Sequence, residues 1–343
     1  MVHNSFDRPT DAFVIKKTVD YYGSYTNPDA DKLFYFEVLI NNAAPNGLSW
    51  KITKDDTVID SGTFSATATS TTPYQFSMKA GQQFEIVGMK KNTPVEVHEL
   101  IMKDGVLLNP YYSAVTDSTH TYVQKCNDPQ NPTTITDSYI LWSDNYDKSD
   151  TAKKETTFVN VPNTMVIKKQ ISGSNKPSDA ANYDFEFHIT KYNETKKEYV
   201  ELDEIGQLKY ITINSDGTQS SNLLTTSNGL MTLKDGQTAV FVNLPQNTTY
   251  QITETSAKLG STIMTTMFQM DDTELVVTTD DEKRSGNKSI EVNHTYINTY
   301  SPKSGLIISK SVVDNFNRIK SDAQYKFTLK QDGKTVVTVL PDG

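Results

Sequence analysis

Residues 165–171 read Met-Val-Ile-Lys-Lys-Gln-Ile, an apolar strand that carries a lysine on its inward face. Strand side chains alternate between faces, so Met165, Ile167, Lys169 and Ile171 point the same way. The stretch occurs twice more. Phe13-Val-Ile-Lys-Lys-Thr-Val19 sets Lys17 among Phe13, Ile15 and Val19. Leu306-Ile-Ile-Ser-Lys-Ser-Val312 sets Lys310 among Leu306, Ile308 and Val312. Desolvating an ammonium group costs several kcal/mol or more, so lysine is almost never fully buried without a partner. Three lysines at equivalent strand positions therefore predict tandem β modules that each supply one.

The same alternation finds the partners. Thr93-Pro-Val-Glu-Val-His-Glu99 puts Val95, Val97 and Glu99 on one face, and Thr249-Tyr-Gln-Ile-Thr-Glu254 does so for Tyr250, Ile252 and Glu254. The lysine-to-glutamate spacings are 82 and 85 residues, which keeps the two elements in step. Further on, Phe158-Val-Asn160 and Tyr296-Ile-Asn298 each place an asparagine on the face of an aromatic residue. Each complete module thus aims a lysine, a glutamate and an asparagine inward, in that order.

Such a trio has chemistry of its own. Burial pushes a lysine toward the neutral, nucleophilic amine and a glutamate toward the protonated acid. A neutral amine beside a carboxamide can attack its carbonyl carbon, while the acid polarises the carbonyl and relays protons to departing ammonia. The fold supplies the proximity. A Lys–Asn isopeptide bond is the expected product.

With these residues in place the chain resembles a known family, the isopeptide-forming domains of Gram-positive pilins and surface adhesins, of the collagen-adhesin B and streptococcal pilin-linker type. Leu233-Lys-Asp-Gly-Gln-Thr-Ala-Val-Phe-Val-Asn-Leu-Pro245 resembles the stretch preceding that family's acidic strand. Tyr250-Gln-Ile-Thr-Glu-Thr-Ser-Ala257 resembles the pilin E-box, with Lys258 where a proline is usual. Met78-Lys-Ala-Gly-Gln-Gln-Phe-Glu-Ile86 is a looser match in the first module, and the third matches through Lys310 and Tyr325-Lys-Phe-Thr-Leu329. The resemblance implies that Lys17 and Lys169 donate the amine, Glu99 and Glu254 act as catalytic acids, and Asn160 and Asn298 accept. Lys310 is an unpaired candidate. It also implies a cell-wall-anchored surface protein with other pilus or surface subunits as partners and sortase for the full-length protein; the residues themselves give no sign of a cofactor or metal.

Composition agrees with an all-β protein of tandem immunoglobulin-like sandwiches, the third incomplete. The 343 residues suit two to three domains at about 100–200 residues each. Tyrosine, threonine and valine are abundant, no helical periodicity is sustained, and Asp104-Gly105, Asp216-Gly217, Asp235-Gly236 and Asp332-Gly333 mark turns. The expected division is a tail over 1–10, modules over 11–161 and 162–301, and the start of a third over 302–343. The short linkers at Val161-Pro162-Asn163 and Ser301-Pro302-Lys303 favour a stiff rod. The single cysteine, Cys126, excludes an intramolecular disulfide and reads as an inert thiol. A net charge of −9 argues against nucleic acid or an anionic membrane as partner. No stretch approaches transmembrane length, and neither an export signal nor a sorting motif is present. The expectation is a segment of a longer protein.

Several further features stand apart. The glutamate-to-asparagine span is 61 residues in the first module and 44 in the second, and the additional residues fall around Tyr111 to Asp150. That insertion, with Asp144, Asp147 and Asp150 beside Trp142, is the expected place for an adhesin contact with a host glycan or matrix protein; the aspartate spacing fits no calcium loop, so no metal is expected there. The aromatic triplets Phe34/Phe36/Val38 and Tyr183/Phe185/Phe187 either roof the trios or form ordinary core. The five histidines, His3, His98, His120, His188 and His294, show no metal-ligand spacing, and His98 and His188 alternate outward. Asp271-Asp272 reads as solvated loop charge, and Tyr300-Ser-Pro-Lys303 is the nearest approach to a sortase pilin motif.

Overall fold

The computed structural model describes residues 12–21, 30–42, 45, 47–64, 73–126, 135–173, 176–203, 206–220, 222–277, 292–300, 327–331 and 334–339. Nearly all of the regular structure among these residues is strand, arranged as four large sheets and a hairpin. Among the described residues, helix is confined to one four-residue turn at Thr151–Lys154 and two short 3-10 turns. Among the described residues, no helix is long and apolar enough to cross a membrane.

The lysine-bearing stretches become strands as their alternation requires. Ala12–Val19 buries Phe13, Ile15 and Lys17 and turns the intervening residues half out, while Met165–Ser172 buries Ile167, Lys169 and Ile171. In the first repeat, one sheet runs Thr57–Thr63, Ser49–Lys54, Gln83–Val87, Ala12–Val19, Glu155–Pro162, Tyr112–Ala114. The other runs Thr121–Cys126, Ile135–Asn145, Pro94–Lys103, Leu33–Ile40, Tyr74–Lys79. In the second repeat, one sheet runs Leu224–Thr225, Lys209–Ile213, Thr238–Val242, Met165–Ser172, His294–Thr299. Opposite it, Tyr183–Asn193 pairs with Thr248–Leu259, flanked by Glu198–Glu201, Leu230–Leu233 and Asp272–Val277. Inward faces fill two separate apolar cores, one around Phe13, Phe36, Phe84 and Phe158 and one around Ile167, Phe185, Phe187 and Tyr296.

One pairing joins the two ends of each repeat. The first and last strands are adjacent and parallel, with Lys17 opposite Phe158 and Val19 opposite Asn160, then Lys169 opposite Tyr296 and Ile171 opposite Asn298. Parallel neighbours need a long crossover, and here the whole repeat serves as one. Each asparagine lies two residues beyond its lysine on the same face, within reach of a four-carbon side chain.

The described part of the insertion in the first repeat contains three strands, Tyr112–Ala114, Thr121–Cys126 and Ile135–Asn145. Tyr112–Ala114 pairs with Asn160–Pro162 at the outer edge of the last strand, and Thr121–Cys126 adds an edge to the second sheet. The segment just before Tyr112 also holds the linker. Asn163 is fully buried. Its Nδ2 donates to Pro110 O (2.8 Å), its Oδ1 accepts from Ser113 Oγ (2.6 Å), its N–H donates to Tyr111 O (2.9 Å), and its carbonyl accepts from Leu244 N (3.2 Å). Gln246 N donates to Pro110 O, and Tyr21 packs on Val166, Ile211, Val240 and Val242.

Residues 302–343 form a separate unit. There Phe327–Gln331 and Lys334–Val339 pair antiparallel, with Gln331 opposite Lys334. Lys310, Lys303, Tyr325 and the Asp332-Gly333 pair lie outside the described residues, as do His3 and most of the Cys126–Pro132 stretch.

Candidate functional site

Each repeat buries one lysine, one glutamate and one asparagine together in apolar surroundings. Lys17 and Lys169 are 0 % exposed, Glu99 and Glu254 2 %, Asn160 4 % and Asn298 0 %. The lysine and asparagine come from adjacent strands of one sheet. The glutamate reaches them from the facing sheet, on Pro94–Lys103 or Thr248–Leu259.

In the first repeat, Lys17 Nζ donates to Glu99 Oε2 (3.2 Å) and Phe158 O (3.3 Å) and contacts Asn160 Oδ1 directly. In the second, Lys169 Nζ lies 3.0 Å from Glu254 Oε1 and donates to Tyr296 O (3.2 Å). Asn298 Nδ2 donates to Glu254 Oε2 (2.9 Å) and to Gln269 O (2.7 Å). Its Oδ1 has no hydrogen-bond partner among the described residues, a costly state for a buried carbonyl.

Aromatic rings close the sites. Lys17 Nζ sits 4.4 Å from the Phe34 ring centroid and Lys169 Nζ 4.1 Å from that of Phe185. Phe36 and Phe187 stand directly opposite Glu99 and Glu254 on the neighbouring strand. The triplets are therefore displaced by one inward position from their order in the sequence: Phe34 matches Phe185, not Tyr183. These rings both roof the trios and belong to the cores.

Electrostatics follow from burial. Desolvation lowers Lys17 from 10.5 to about 8, against the opposing pull of the Glu99 carboxylate. Lys169 is lowered for the same reason. Burial raises Glu99 and Glu254, with the adjacent lysine as the main opposing influence. Both shifts move the pairs from ammonium and carboxylate toward amine and acid.

Sequence reasoning missed two surroundings of the trios. His120 is buried beside Phe158, with Nδ1 3.0 Å from Asp117 and Nε2 2.9 Å from Thr156 Oγ1; a lone histidine in an insertion gave no signal. Asp271, expected as solvated loop charge, accepts from Glu254 N through its backbone carbonyl and faces His294 through its side chain. His98 needs a similar correction. It points to the outer face as alternation requires, yet it is 4 % exposed, held between Glu37 and Glu96 with Tyr139 stacked on it at 4.1 Å. Alternation assigns a face, not its solvation.

The aspartates of the insertion are occupied. Asp144 accepts from Asn145 N, Asp147 pairs with Lys91 and accepts from Ser149, and Asp150 caps the helical turn through Ala152 N. Among the described residues, no three His, Cys, Asp or Glu side chains gather as a metal site.

Two stretches, residues 12–160 and 163–300, match the family described as a domain of unknown function, DUF7601. None of the curated proteins matches. Among solved structures, the major pilin of Streptococcus pyogenes is similar at 17% identity, over 85% of this chain and 99% of that chain, with a TM-score of 0.30. A second major pilin of that organism is 16% identical over 85% and 98%, with a TM-score of 0.33. The pilus-presented adhesin of the same organism is 16% identical over 52% and 39%, with a TM-score of 0.24.

Proposed function

The chain belongs to the DUF7601 family, in two copies, and from that premise we propose that it is a structural subunit of an extracellular fibre or stalk whose repeats lock themselves with Lys17–Asn160 and Lys169–Asn298 isopeptide bonds. One observation carries this reading: lysine, glutamate and asparagine meet twice, with the same strand offset, inside otherwise apolar cores. A buried ion pair is weak as a stabilising device, since desolvating two charges offsets their attraction. Two copies of a costly arrangement call for a use.

The reaction balances without a co-reactant. The neutral lysine amine attacks the asparagine Cγ, the Nζ–Cγ bond forms, the Cγ–Nδ2 bond breaks, and ammonia leaves with the proton that Nζ gives up. Glu99 or Glu254, held as the acid, hydrogen-bonds the carboxamide and shuttles that proton. Each trio is consumed by one turnover, so this is self-modification and not enzymatic activity. The bond ties the first strand of a repeat to its last. Force on the two ends then runs through the cross-link, and the sheet is not peeled.

We divide the chain accordingly at 161/162 and 301/302. The setting is a Gram-positive cell surface, with other subunits as partners and sortase acting on the full-length protein, as the sequence resemblance implies. An adhesin contact through the first-repeat insertion is the weaker reading, because the described part of that insertion is engaged in pairing the last strand and holding Asn163.

Denaturing mass spectrometry of the intact protein tests the proposal. The expected result is a deficit of two ammonia molecules, with tryptic peptides joining Lys17 to Asn160 and Lys169 to Asn298. An unmodified mass overturns it.

A further inference from the structure

The antiparallel neighbour of each reactive strand stops one residue short of the lysine. Regular pairing ends at Lys16 opposite Gln83 and at Lys168 opposite Thr238. From there a four-residue turn takes over, Lys79-Ala-Gly-Gln82 in the first repeat and Lys234-Asp-Gly-Gln237 in the second. Its main chain grips the lysine from both sides. Lys17 N donates to Gln82 O (3.0 Å) and Gly81 N to Lys17 O (2.8 Å); Lys169 N donates to Gln237 O (2.9 Å) and Gly236 N to Lys169 O (2.9 Å).

Each turn is closed twice. Its backbone bond runs from Gln82 N to Lys79 O, or from Gln237 N to Lys234 O. The third position needs positive φ, 83° at Gly81 and 81° at Gly236, as in a type II turn. The glutamine side chain then folds back, and its Oε1 accepts from Lys79 N at 2.7 Å or Lys234 N at 2.8 Å. Gly and Gln recur in both turns while the second position changes from Ala80 to Asp235. Glutamine is the one side chain that bonds across the turn in both.

We infer that Gln82 and Gln237 are positioning residues for the cross-linking reaction: by clamping the turn, they fix the lysine backbone so that Nζ and the adjacent asparagine carboxamide stay aligned with the glutamate of the facing sheet. The inference rests on the proposed isopeptide chemistry and deepens it. On the other side the lysine has the parallel strand that carries the asparagine, so a loose turn lets donor and acceptor strands shift together against the glutamate of the facing sheet. Reactions inside a fold are sensitive to such shifts, since about 1 Å of misplacement can lower a rate about 100-fold.

The test follows ammonia loss by mass spectrometry after cell-free synthesis of the full chain, for wild type, Gln237→Ala, Gln237→Glu and Gln82→Ala. Each variant leaves the other repeat as an internal clock. Gln237→Ala is expected to slow cross-linking of Lys169 at least about tenfold while Lys17 reacts at its wild-type rate. Gln82→Ala should do the reverse. Gln237→Glu keeps an acceptor for Lys234 N–H and should restore most of the rate. Circular dichroism of the same samples in a Glu254→Ala background reports folding apart from bond formation. Slow cross-linking in a chain that is equally folded supports positioning. An unchanged rate, or a slowing that follows the loss of folded protein, overturns it. If the wild type itself loses no ammonia, the isopeptide reading fails instead, so the two failures are distinct.

Discussion

The two repeats share a lysine–glutamate–asparagine trio and its immediate setting, and differ beyond it. The common features are a two-residue offset between lysine and asparagine, a glutamate from the facing sheet, a phenylalanine ring about 4 Å from Nζ, and a glutamine-closed turn behind the lysine. The differences lie outside that set. In the first repeat the asparagine strand is covered at its edge by Tyr112–Ala114, and His120 stands over Phe158. In the second, the backbone carbonyls of Gln269 and Asp271 take up Asn298 Nδ2 and Glu254 N. What recurs is what the proposed amide formation would need: an amine, a carboxyl, a carboxamide, a dry wall and a fixed backbone.

The largest test of that division replaces the acid. Glu254→Ala should leave the second repeat folded but without its bond, so the intact chain loses one ammonia molecule. By loop-closure entropy, opening a cross-link of this span costs about 5 kcal/mol. At roughly 2–4 °C per kcal/mol, the second repeat's melting temperature should fall on the order of 15 °C in calorimetry, with the first repeat's transition unmoved. Loss of two ammonia molecules at the normal rate in this variant shows that the acid has another role.

Titration gives a smaller and more pointed comparison. In Asn160→Ala the Lys17 amine persists, with its folded-state pKa lowered to about 8 from 10.5 by burial. Between those values the unfolded chain holds a proton that the folded chain has released, so stability should rise with pH across the window. Glu99 acts with the opposite sign at lower pH, because its raised pKa removes stability as pH climbs past the unfolded value. Denaturant melts from pH 8 to 10.5 for Asn160→Ala, minus those for Asn160→Ala/Lys17→Met, isolate the lysine. A flat difference would mean that Lys17 keeps its ordinary affinity for protons.

The smallest expected effect is at Asp235. Its Oδ1 accepts from Ile171 N at 2.6 Å, a bond that Ala80 cannot make in the first repeat. Asp235→Ala should cost the second repeat about 1 kcal/mol and leave its cross-link intact, since the first repeat does without that carboxylate. Failure of the bond in Asp235→Ala would mean that the two turns are not equivalent.

Much of the site was legible because strands have a period of two. An inward lysine, an inward glutamate and an inward asparagine can be found by counting alternate residues from Phe13, Val95 and Phe158, or from Met165, Tyr250 and Tyr296. The turns at Asp104-Gly105, Asp216-Gly217 and Asp235-Gly236 could be read because a positive φ favours glycine, and those three glycines have φ of 77°, 84° and 81°. Counting failed where depth and not direction was at issue. His98 lies on the outward face and is nonetheless buried, because Tyr139 comes from another strand to cover it. The aromatic triplets kept their faces, but their register against the lysines is displaced by one inward position.

By itself, then, the sequence determined the all-β class, the repeat, and which side chains point inward, since all of these follow from local periodicity and from residue types that tolerate burial poorly. Only the tertiary structure decided that the first and last strands of each repeat are parallel neighbours, that the glutamate reaches across from the facing sheet, and that Phe34 corresponds to Phe185. It also decided that Tyr112–Ala114 and the Pro110–Tyr111 carbonyls serve the last strand and Asn163. The physical reason is that strand order and register are set by pairings between residues tens to more than a hundred positions apart, and no local period records which distant strand will supply the partner.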